Sequence, residues 1–69
     1  MKKEFVEEKL LPLLQAIDDD ICEATYHIVD RHPYDLEYVL IEWCSGSSKR
    51  VYVTGDSLLA LARDVLKAL

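Results

Sequence analysis

Four side chains in this sequence could bind a soft metal: Cys22, His27, His32 and Cys44. Zinc sites bring their ligands in close pairs such as CxxC or HExxH, because short spacings place two donors on one turn or one helix face. No such pair exists here. Cys22 and His27 are five residues apart in a stretch that reads as a strand, so they point to opposite faces. In the same register Cys44 points away from Cys22, and no metal centre is expected. Asp18-Asp19-Asp20 offers three carboxylates to a hard cation, but EF-hand spacing and its turning glycine are absent, so the triplet reads as the solvated end of a helix. His27 and His32 are the two candidate general bases near neutral pH. The sequence places no serine or cysteine nucleophile beside either. His32 lies in Asp30-Arg31-His32-Pro33-Tyr34-Asp35, the densest cluster of reactive side chains, which also reads as a polar turn stiffened by Pro33. A 69-residue chain leaves little room for a pocket that excludes water. No catalytic residue and no cofactor is assigned.

Charge narrows the partners. Thirteen acidic and eight basic residues give a net charge of −5. General nucleic-acid binders gather a Lys/Arg excess on one face, because phosphate contacts dominate their affinity. The only net-basic stretch here is residues 48–69, through Lys49, Arg50, Arg63 and Lys67. Residues 21–47 set Arg31 against five acids, which permits imitation of a phosphate backbone. Lys2 and Lys3 resemble the start of a signal peptide, but Glu4, Glu7, Glu8 and Lys9 interrupt what should be apolar. The uncharged run Leu10 to Ile17 is far short of a membrane span of about 20 residues. A soluble cytoplasmic protein is expected. Two cysteines are too few for a disulfide scaffold, and reduced thiols packed as small hydrophobes are the expected state, with one Cys22–Cys44 bridge as the alternative.

The elements that must position these groups follow from periodicity. Phe5, Val6, Leu10, Leu13, Leu14 and Ile17 recur at steps of three and four, which predicts a helix over about residues 3–18, kinked at Pro12. Alternation predicts strands over 21–29, 37–44 and 49–54, joined by turns at 30–35 and at Ser45-Gly46-Ser47-Ser48. Gly55 ends the third strand and Asp56 caps a last helix with the stripe Leu58, Leu61, Ala62, Val65, Leu66 and Leu69. The expected fold is one α+β domain over residues 1–69: α-β-β-β-α, a three-stranded antiparallel sheet covered on one face by two helices. Its core face should carry Cys22, Ala24, Tyr26 and Ile28, then Val39, Ile41 and Trp43, then Val51 and Val53, with Ala24 near Trp43.

The opposite face should then be open. It would show Glu23, Thr25 and His27, then Tyr38, Leu40, Glu42 and Cys44, then Arg50, Tyr52 and Thr54. Tyr38, Leu40 and Tyr52 form an apolar patch rimmed by Arg50 and Glu42, a composition suited to a protein partner or to self-association. A cross-strand Glu42–Arg50 pair would also support the sheet itself. The leading expectation is a small non-catalytic interaction or regulatory domain acting through a protein partner or a homodimer, with neither nucleic acid nor membrane as its target. Two other readings stay open: a nucleic-acid module using the C-terminal basic residues, and a subunit of a small enzyme with a site at His32. The order of elements resembles that of double-stranded-RNA-binding domains over nearly the whole chain. Those domains grip phosphate through a lysine-rich start of the last helix. The matching stretch here, Asp56-Ser57-Leu58-Leu59-Ala60, has an acid and no lysine. The resemblance therefore implies an order of elements and carries no residue or activity.

Overall fold

Pro12 has no N–H to give the carbonyl of Glu8, so an ordinary α-helix cannot run through it unchanged. The computed structural model, which describes residues 1–29, 36–54 and 57–69, shows how the chain continues. Helix α1 (Lys2–Phe5) passes into a π-helical turn (Val6–Leu10) and then into α2 (Leu11–Ile17). The Leu11 N–H bonds back to the Val6 carbonyl, a wider loop than the α-helical one. The widened turn keeps Val6, Leu10 and Leu14 on one line, and all three are buried. The expected single helix thus persists, with a π turn absorbing the proline.

Asp18 leaves helical geometry and ends α2. Its Oδ1 accepts from the Asp20 N–H at 3.1 Å, which closes the turn, and its Oδ2 accepts from the Trp43 indole N–H at 3.0 Å. The acidic triplet is a turn device and a tie to the sheet. Three strands follow, β1 (Ile21–Val29), β2 (Leu36–Trp43) and β3 (Ser48–Val53), antiparallel and in the order β1-β2-β3. Gly46 turns the second hairpin at φ 101°, a conformation glycine adopts without steric cost. Helix α3 (Leu58–Ala68) starts at Ser57, whose hydroxyl accepts from the Ala60 N–H at 3.1 Å. The cap expected at Asp56 lies outside the described residues.

The core is Val6, Leu10 and Leu14 from the N-terminal helical run, Ile21 and Ala24 from β1, Val39 and Ile41 from β2, Val51 and Val53 from β3, and Leu61 and Val65 from α3. The buried strand residues share one side of the sheet, so both helical runs cover that side. This is the expected α+β arrangement. Among the described residues no helix is long and apolar enough to cross a membrane.

Three expectations about β1 are corrected. Pairing jumps from Ile21↔Trp43 to Glu23↔Glu42, which leaves Cys22 as the extra residue of a β-bulge. The extra residue changes the parity: Ile21 fills the core and Cys22 turns out to solvent, while Ala24 faces Ile41 and not Trp43. Ile28, expected in the core, is 59% exposed, because β1 outruns the cover of the helix at that end. Tyr26 is half-buried, with its hydroxyl donating to Glu37 Oε1, which also accepts from Lys2 Nζ at 2.7 Å. Burial and then the Glu37 carboxylate push the Tyr26 phenol up to about 12, while Lys2 and then Tyr26 hold Glu37 below the usual carboxylate range.

The turned-out Cys22 meets Cys44 in a disulfide with Cα atoms 5.1 Å apart, so the thiols are not the reduced, packed pair expected. The same corner is tied by the Cys44 N–H, which donates to the Asp20 carbonyl at 2.8 Å. The bridge closes a sequence separation of 22 residues. On the chain-entropy account a loop of that size is worth about 3 kcal/mol. A domain of this length holds only about 3–10 kcal/mol in total. Replacing both cysteines by serine, or adding reductant, is expected to lower unfolding stability by about 3 kcal/mol, read as a drop in the urea midpoint with a steeper slope, because the unlinked unfolded chain exposes more surface.

Candidate interaction face

Register decides which side chains stand together on the uncovered side of the sheet. Three rows run across it. The first is His27↔Tyr38↔Tyr52, the second Thr25↔Leu40↔Arg50 and the third Glu23↔Glu42↔Ser48. Tyr38, Leu40, Tyr52, Arg50 and Glu42, the five residues singled out from the sequence, therefore do share one face.

The first row is an aromatic ladder. His27 stacks on Tyr38 with ring centroids 5.0 Å apart and planes 20° apart. Tyr38 meets Tyr52 at 5.5 Å and 51°. The Arg50 guanidinium lies 5.2 Å from the centre of the Tyr38 ring, within reach of its negative face. The His27 ring is also held by a 2.8 Å hydrogen bond between Nε2 and the Thr25 hydroxyl. Tyr38 and Leu40 are half-buried by their neighbours, whereas Tyr52 is 52% exposed. Each ring is thus oriented by another side chain, and the outer one still presents an apolar surface to solvent.

The expected Glu42–Arg50 pair across β2 and β3 does not form a direct row. Arg50 stands opposite Leu40, and Glu42 stands opposite Ser48. Instead Glu42 faces Glu23. Like charges directly opposite destabilise an antiparallel pair. The face is therefore divided, with an aromatic and cationic part at Tyr38, Tyr52 and Arg50, and an acidic part at Glu23 and Glu42.

The C-terminal basic residues do not make one stripe. Arg50 is on the open face. Lys49 projects to the covered side, where its ammonium donates to the Ala68 carbonyl at 2.6 Å and caps the end of α3. Arg63 and Lys67 lie exposed on α3, across the sheet from Arg50. His32 and its loop lie outside the described residues. Among the described residues no group of three His, Cys, Asp or Glu side chains converges to hold a metal ion.

One concavity escaped sequence reading. Ile17, Asp18, Trp43, Lys49, Ala68 and Leu69 line a hollow of about 400 Å³ where the ends of α2 and α3 diverge. Ile17 is 60% exposed and Leu69 46%, although both fit the apolar stripes of their helices. Periodicity marks which face of a helix is apolar. It does not say how far a neighbouring helix reaches to cover it.

The chain matches no protein-family model, no curated protein and no solved structure.

Asp18 at the rim of the hollow supplies a direct test of the fold around Trp43. The Trp43 indole N–H, and then the Asp20 amide, hold its carboxyl below the ordinary aspartate value. A lowered acid contributes above its unfolded value and loses that contribution as pH falls through its folded value. Trp43 is the sole tryptophan. Its fluorescence is expected to change in an acid titration with a midpoint below the ordinary aspartate value, and Asp18→Asn should remove that transition.

Proposed function

We propose that this chain is a small non-catalytic interaction domain that docks a protein partner on the open face of its sheet. The observation that carries the reading is the aromatic ladder with Arg50 over Tyr38 and half-exposed Tyr52 on a face no described element covers. Tyrosine and arginine are enriched where proteins meet, because each combines a large contact area with directed polar groups. The partner's chemistry follows from the divided face. It sets an apolar side chain against Leu40 and Tyr52, and a lysine or arginine against the facing acids Glu23 and Glu42.

Size sets the strength. Eight residues of β2 and three strand spacings give a face of about 26 Å by about 14 Å, or about 400 Å² on each side. Stable complexes bury about 800 Å² per partner, so this surface fits a transient encounter. Tagged wild type and a Leu40→Lys/Tyr52→Glu variant would be compared by affinity capture from the native lysate, with mild cross-linking to retain weak complexes. A partner held by the wild type and lost by a variant with an unchanged melting curve supports the reading. Equal capture by both, no captured partner, or unfolding of the variant overturns it.

The compartment is part of the proposal. The cytoplasm, the compartment expected from the sequence, keeps thiols reduced. An exposed Cys22–Cys44 bridge favours an oxidising compartment. Trapping thiols in acid-quenched source cells with a polyethylene-glycol maleimide separates the two. The bonded protein should show no gel shift, and a double shift would return the protein to the cytoplasm.

A further inference from the structure

The sheet has two outer strands, and they are protected differently. β3 spans six residues and carries Lys49 and Arg50. Lysine and arginine on an edge oppose pairing with another chain. β1 spans nine residues, and its bulge and bridge disturb only the Cys22 end. From Ala24 to Val29 it has no acidic or basic residue other than His27, and neither proline nor glycine. Thr25, Tyr26, Ile28 and Val29 in that stretch are β-branched or aromatic, types that favour extended pairing. No described segment pairs with the outer side of β1. At the end away from the bulge, Ile28 stays 59% exposed, and Tyr26 and Ile28 line a hollow of about 490 Å³ with Met1, Lys2 and Lys3.

We propose that β1 is a self-pairing edge: two copies of this chain join β1 to β1 antiparallel and form one continuous six-stranded sheet. Strand addition draws its affinity from main-chain hydrogen bonds and its choice of partner from the side chains set opposite. The partner is a second copy because the twofold arrangement places the uncharged stretch 24–29 against itself. It opposes no carboxylates or ammonium groups there, despite a net charge of −5 on each chain. Self-pairing of β3 would instead set Lys49 and Arg50 against their copies. The joined β1 strands shield Ile28 and set the two open faces side by side, which doubles the surface offered to a partner. This edge borders the docking face proposed above and shares Thr25 and His27 with it, but it pairs through the main chain of β1, so either can fail without the other.

The test combines sedimentation with amide hydrogen exchange on the oxidised protein. The wild type is expected to dimerise with an apparent Kd tighter than about 1 mM. Amides within 24–29 should exchange several-fold more slowly in the concentrated than in the dilute sample. Thr25→Lys/Ile28→Lys should stay monomeric at every concentration with its melting curve intact, while Leu40→Lys/Tyr52→Glu still dimerises. A monomeric wild type overturns the proposal. So does a dimer that survives the β1 changes and is lost with the open-face changes. If the lysine variant does not fold, the wild-type exchange decides: β1 amides unaffected by concentration overturn the proposal.

Discussion

One extra residue at Cys22 decides which side of β1 meets the helices. Side chains alternate along a strand, so a regular β1 with Ala24 in the core would also bury Cys22 and expose Ile21. The bulge lets Ile21 and Ala24 both reach the core. It also delivers Cys22 to Cys44, outside the core, where the bridge holds the bulge in place. The Asp18–Trp43 and Asp20–Cys44 hydrogen bonds fasten the end of α2 to the same corner. Helix position, strand register and cross-link are therefore coupled. A slip by one residue would disturb the core, the bridge and the open face together.

Because that corner fixes the register, it also assembles the open face from a distance. Tyr38 sits between His27 and Tyr52 only because β1 and β3 both pair with β2 in the observed register. The same register sets Glu23 against Glu42 and leaves Arg50 to the ring of Tyr38. On the proposed docking reading, this patch of oriented rings beside an unfavourable acid pair would meet a second surface that supplies apolar area and positive charge. The core of the described residues lies on the other side of the sheet.

Stability and interaction make opposite demands on a three-stranded sheet. Small domains bury a modest share of their surface, and a cross-link offsets that weakness by restricting the unfolded chain. Among the described residues the sheet still has two unpaired edges and one bare face. β3 carries Lys49 and Arg50 at its edge, whereas β1 over 24–29 carries no acidic or basic residue other than His27.

Periodicity and turn chemistry in the sequence determined the order of elements, the single covered face and the identity of the open-face residues. Val39, Ile41, Val51 and Val53 alternate without interruption, so their inward direction, and the outward direction of Tyr38, Leu40 and Tyr52, could be read one residue at a time. The disulfide could not be read this way, because a bulge is a property of a pair of strands and no single-strand pattern marks the extra residue. The exposure of Ile17, Ile28 and Leu69 was equally hidden, since it depends on where neighbouring elements stop. The Glu23–Glu42 opposition and the turning of Arg50 toward Tyr38 depend on the register between strands, which no single-strand pattern states. Local patterns specify which way a side chain points, and only tertiary packing decides what it meets there.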